Sequence, residues 1–156
     1  MLLPDELLVI LTAMTPIGEL RAAIPLGLVQ YDLSWPAVFA LAVVGNLIPV
    51  PFLLAGLRTV GERIERREDP LGRLLRWRSA HIRQRWGARV DRYGFAGIVL
   101  IVAIPLPFTG AWTGCLAVWA LHAPWRRGIP AIALGVLIAG AIVTALTEAG
   151  IALIKL

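Results

Sequence analysis

Apolar residues in this chain fall into four blocks, separated by short polar stretches and one long basic one. The windows 33–57, 94–123 and 128–147 hold almost no charge, and each reaches the roughly 20 residues that cross the hydrocarbon core of a bilayer. The first block, 5–31, is different. Its run from Leu7 to Tyr31 is uncharged except for Glu19 and Arg21, which sit among Pro16, Gly18 and Pro25 in TPIGELRAAIPLG. Two charges and several helix breakers thus stand where a span would be most apolar. The second block, 35–57, starts at Trp35-Pro36 and carries Asn46, Pro49 and Pro51; a charged linker, 58–92, follows. The third, 94–123, is interrupted by IPLPFTGAWTG, and the fourth, 129–154, carries Gly135, Gly140, Glu148 and Gly150.

Blocks one and three share a layout of helical half, proline/glycine break and helical half. The pattern predicts helices over 7–14 and 20–30 in one, and over 95–104 and 111–122 in the other. At ~1.5 Å per residue each half spans about 12–18 Å, roughly half of a ~30 Å hydrocarbon core. Such halves fit a re-entrant hairpin that enters to mid-depth and leaves on the same side; the alternative is a proline-kinked full span. The charges favour re-entry. Basic residues prefer the cytoplasmic side, which places linker 58–92 inside. Hairpins at 1–31 and 94–123, with spans at 35–57 and 129–154, then keep Arg126 and Arg127 inside as well. Four full spans with the N-terminus inside would strand that pair outside. The expected fold is therefore an all-α, multi-pass integral membrane protein built as an inverted repeat of hairpin plus transmembrane helix. Two full spans are too few to enclose a path, so a homodimer or higher homo-oligomer is expected.

The linker adds an element of its own. Asp69-Pro70 supplies an N-cap and a first-turn proline. Leu71, Leu74, Leu75, Ile82, Trp86, Val90 and Tyr93 then recur at helical spacing, with Arg73, Arg76, Arg83 and Arg85 mostly on other faces. A basic amphipathic helix of this kind lies in the headgroup layer and favours anionic lipid.

Composition agrees with a membrane protein. Of 156 residues 58% are hydrophobic, above the half typical of soluble domains, and mean hydropathy is +0.78. The start MLLPDELL is acidic and has no small-residue cleavage site, so no cleavable signal is expected. The single cysteine, Cys115, excludes an intramolecular disulfide. The net charge of +5 does not point to nucleic acid, because 11 of the 15 basic residues lie between Arg58 and Arg92 and read as a membrane-surface feature. The two histidines and one cysteine lack metal-ligand spacing, and no nucleophile triad or phosphate loop is present. Neither metal, cofactor nor enzymatic activity is expected.

Candidate chemistry concentrates at the two breaks. A charge at mid-bilayer costs at least ~2.5–3.5 kcal/mol, so such residues are usually paired and functional; at the break Arg21 and Glu19 either converge or face different partners. Pro16 and Gly18 permit close backbone approach, and a half-helix beginning near Glu19 points free N–H groups toward the midplane. Arg21 and that helix end together make an anion cradle; a structural Glu–Arg pair is the alternative. The second break supplies Pro105, Pro107, Thr109, Gly110 and Trp112, with Gly110 and Gly114 as a GxxxG pair. Asn46 and Glu148 are the polar candidates of the two spans.

The stretch PIGELRAAIPLGL, with IPLPFTGAWTG and a basic segment between, resembles the small multidrug export protein family. More remotely, RYGFAGIVLIVAIPLPFTG and the layout resemble the DedA (VTT-domain) membrane proteins, although the arginine usual around their second proline turn is missing here. The first resemblance implies export of lipophilic compounds across the plasma membrane; the second implies movement of polyprenyl-phosphate or phospholipid headgroups. A third reading, a non-transporting membrane scaffold, needs no substrate. Glu19 would serve as a proton-exchanging carboxylate under the first reading, and Arg21 would hold an anionic headgroup under the second.

Overall fold

A computed structural model of the chain describes residues 4–104 and 110–154. All regular elements among them are helical. Asp5–Met14 (α1) has both its acidic residues in the first turn, where exposed N–H groups favour negative charge. It ends at Thr15, whose hydroxyl donates back to the Thr12 carbonyl at 2.8 Å and accepts the Gly18 N–H at 3.3 Å. This turn reverses the chain into Glu19–Pro25 (α2), which packs against α1. Pro25 has no N–H and its ring crowds the preceding turn. The helix widens directly after it into a π-helical segment, Leu26–Gln30, with the Tyr31 N–H bonded to the Leu26 carbonyl at 3.2 Å.

Trp35–Leu47 (α3) and Pro49–Glu65 (α4) run on with a single turn residue between them. The expected span ending at 57 therefore continues as helix for two more turns, because RTVGERIE contains no breaker stronger than Gly61. After a short turn, Pro70–Tyr93 (α5) starts as expected, with Asp69 Oδ1 accepting the Gly72 N–H at 2.9 Å. The third block gives Phe95–Ala103 (α6) and Ala111–Ala120 (α7), and the last gives Trp125–Ile154 (α8).

The stretch Trp35–Gly61 and helix α8 are each long and apolar enough to cross a membrane, with mean hydropathies of 2.2 and 2.4. Only 39% of each apolar window is buried inside the chain. Val44 and Phe52 on one, and Leu134, Leu137, Ile142 and Leu146 on the other, face outward. A soluble monomer does not leave so much contiguous apolar surface in water; this is a membrane protein.

Three features recur at an offset of 90. Asp32 (φ +51) and His122 (φ +53) both turn the chain through the left-handed region, and Trp35 and Trp125 both open the long helix that follows. Gly45 and Gly135 come ten residues later. A Cβ on Gly45 would lie 2.7 Å from the Ile10 carbonyl of α1, and one on Gly135 would lie 2.5 Å from Val102 Cβ of α6. So α1 crosses α3 and α6 crosses α8 on a glycine, the small-residue contact by which helices associate in membranes. Each shorter second helix also reaches across: α2 touches α8, and α7 touches α4.

The face expected for α5 divides. Ile82 and Val90 are buried against the protein, whereas Leu71, Leu74 and Tyr93 are exposed together with Trp77. At its start the side of α5 toward α4 is polar instead: the Ser79 hydroxyl donates to Glu65 at 2.7 Å, and Arg76 donates to the carbonyls of Glu65 and Arg67 that end α4.

Candidate functional site

Glu19 opens α2 with φ +48, an uncommon conformation for a residue other than glycine. Its side chain is only 4% exposed and points at the other hairpin. Oε2 accepts the Ala111 N–H at 3.3 Å and Oε1 accepts the Trp112 N–H at 3.4 Å. These are first-turn donors of α7, which have no acceptor within their own helix and lie at its positive end. Both bonds are long for N–H to oxygen. Gly110, just before α7, has φ +131, and a Cβ there would sit 1.8 Å from Oε2. Glycine is what lets the carboxylate reach the helix end.

The clasp also runs the other way. The Trp112 indole N–H donates at 3.2 Å to the carbonyl of Met14, the last residue of α1. Hairpin one thus gives a carboxylate to hairpin two and takes an indole N–H from it.

Asn46 on α3 is completely buried. It lies close enough to act on the Glu19 carboxylate, yet neither its Oδ1 nor its Nδ2 reaches hydrogen-bond geometry with any partner among the described residues. A buried amide left so costs about 1–3 kcal/mol. Arg21 is half-buried one turn into α2 and interacts electrostatically with Glu19. Beside them, Trp112 forms part of an almost wholly apolar groove of about 480 Å³, walled by Met14, Ile48, Phe52 and Leu57.

The predicted residues thus separate. Glu19, Arg21, Asn46, Gly110 and Trp112 come together. Pro16 and Gly18 build the first turn, Pro25 precedes the π segment, and Gly114 contacts Val102 and Ile132 rather than the other hairpin. Pro105, Pro107 and Thr109 lie outside the described residues. Glu148 is exposed in a separate groove of about 380 Å³ between α3 and α8, beside Trp35 and Phe39. The N-terminal end of α7 is taken by Glu19. The Ala111 N–H and the Met14 carbonyl escaped the sequence reading because backbone groups carry no side-chain signature. Thr144 also escaped it; its hydroxyl is buried near Glu148 with no hydrogen-bond partner among the described residues.

Comparison with curated proteins gives no match, and comparison with solved structures gives none. Nothing in these comparisons bears out the resemblance to DedA proteins. The family model described as "Putative small multi-drug export protein" matches residues 19–142, a stretch that begins at the clasping carboxylate and takes in Gly110, Trp112 and most of α8. The chain belongs to the small multidrug export protein family.

Proposed function

We propose that the chain is a small secondary transporter, not an enzyme, that exports lipophilic cations by alternating access where the hairpin tips meet. The observation that carries this reading is the Glu19 carboxylate, buried beside the Asn46 amide and held by two long bonds to α7. A carboxylate in that setting is an exchange site. Protonation removes its charge from the positive end of α7 and weakens the clasp; a bound cation competes for the same oxygens. Arg21 balances Glu19 while the site is empty, which lowers the cost of holding a charge in the membrane. The apolar groove along Trp112 offers a lipophilic substrate a path in from the bilayer.

At the α7 end an anion would have to displace the protein's own carboxylate from the N–H groups of Ala111 and Trp112. We further read α1–α2 and α6–α7 as re-entrant hairpins of opposite orientation, with the basic segment cytoplasmic. Ile17 at the first tip is 98% exposed. Non-helical backbone at membrane depth must be covered by protein or line a water-filled cavity, which favours a homo-oligomer closing over this tip.

The test is transport in proteoliposomes under an imposed pH gradient, comparing a lipophilic cation with a polyprenyl phosphate. The cation should move in exchange for protons, and Glu19→Gln should abolish the pH dependence. A folded Glu19→Gln variant with an unchanged pH profile removes the exchange role, and movement of the phosphate alone reverses the substrate class.

A further inference from the structure

We propose that the cavity between α4, α5 and the α7–α8 turn binds the headgroup of an acidic phospholipid. The cavity holds about 730 Å³ and lies apart from the clasp. Its polar side presents Arg58, Arg66 and Arg83 together with His122. Glu65 is the one carboxylate among the described residues of the lining, and it is already committed: it accepts the Ser79 hydroxyl at 2.7 Å and a guanidinium N–H of Arg83 at 3.2 Å. Glu65 therefore positions Arg83, and among the described residues of the lining three guanidinium groups stand against this one carboxylate. Guanidinium groups present planar donor forks that suit phosphate oxygens.

The opposite side is apolar. Leu54 and Val118 form it, and Leu54 belongs to the apolar stretch that is long enough to cross a membrane. The Trp119 ring also lines the cavity and lies flat on α4 at Gly61, where a Cβ would be 2.9 Å from it. Along α4 the wall changes from Leu54 to Arg58 within about 6 Å and reaches Arg66 about 12 Å later, at the rise of an α-helix. Trp125, half-exposed at the rim with the Arg126 guanidinium 5.9 Å from its ring centroid, is the kind of residue that marks a membrane–water boundary. A cavity that is basic at one end and apolar at the end facing the span fits a phosphodiester attached to acyl chains. A free anion would use only the basic end.

The experiment titrates the purified full chain with dioctanoyl phosphatidylglycerol, dioctanoyl phosphatidylcholine and inorganic phosphate. Phosphatidylglycerol should bind at least about tenfold more tightly than either of the others, since each lacks one of the two features the cavity matches. Arg58→Gln and Arg66→Gln should each weaken phosphatidylglycerol about fivefold, the value of one basic contact to anionic lipid. Arg73→Gln, on an exposed face of α5 away from the cavity, should leave it unchanged. Equal binding of the two lipids overturns the proposal, as does phosphate binding as tightly as phosphatidylglycerol. An equal loss from Arg73→Gln also overturns it, because it would mean diffuse attraction rather than a site. The ligand comparison uses the unaltered chain, so it decides the matter even where a variant fails to fold.

Discussion

The Glu19 carboxylate accepts the backbone N–H of Trp112, 93 positions further along the chain, at 3.4 Å, while the Trp112 indole reaches back to the residue that ends α1. Two helical breaks that are separate in sequence are one object in space. Each closes the other's open helix end.

The clasp has a measurable worth. Glu19→Ala leaves the N–H groups of Ala111 and Trp112 without their acceptor and should lower stability by about 1–3 kcal/mol. Glu19→Gln keeps an acceptor oxygen and should cost less. Thermal unfolding in detergent separates the two; equal losses would mean that the backbone bonds contribute nothing.

Gly110→Ala should open the clasp without touching the carboxylate itself. The new Cβ collides with Glu19 Oε2, and alanine is strained at φ +131, at a cost of roughly 1–3 kcal/mol. Amide exchange at Ala111 and Trp112 should speed up. Unchanged protection there would show that the tips hold together by other means.

The two glycine crossings should behave alike. Gly45→Val and Gly135→Val each force side-chain volume against the backbone of the crossing helix, and overpacking of this kind costs about 1–3 kcal/mol. Gly150→Ala is the control, because nothing lies within 4 Å of the added Cβ. If one crossing tolerates valine and the other does not, the halves are not equivalent in packing.

Side-specific labelling tests re-entry directly. A cysteine at Asp32 and a tag at the N-terminus should be reached from the same side of the membrane. Labelling from opposite sides would make 5–31 a kinked span.

The start of α5 should loosen in acid. The Gly72 N–H, and then neighbouring Arg67, hold the Asp69 carboxyl below its usual 3.8. A carboxylate depressed in the folded state stabilises the fold at neutral pH, and that contribution is lost as pH falls through the folded value, below 3.8. Amide exchange at Gly72 should rise over that range in the native chain. In Asp69→Asn, which cannot titrate, it should not.

Much of the helical layout was legible beforehand because it is local. The halves expected at 7–14 and 20–30 appear as Asp5–Met14 and Glu19–Gln30, and those at 95–104 and 111–122 as Phe95–Ala103 and Ala111–Ala120. Proline, glycine and capping residues act on their own backbone, so Asp69-Pro70 marks the start of α5 wherever that helix packs. The amphipathic face of α5 was only half legible. Periodicity shows which side chains share a face, but whether lipid or α6 and α7 meets that face depends on the neighbours.

By itself, then, the sequence determined the broken helices, the apolar stretches and the placing of two charges, Glu19 and Arg21, at the first break, since all of these follow from nearest-neighbour chemistry. Only the tertiary structure decided that Glu19 caps α7, that Asn46 is buried beside it, and that Glu148 belongs to a different groove. It also decided that Gly45 and Gly135 are equivalent crossings. The reason is physical: the partners are backbone N–H groups and packing contacts far away in the chain, and such groups leave no mark in the order of side chains until the fold brings them together.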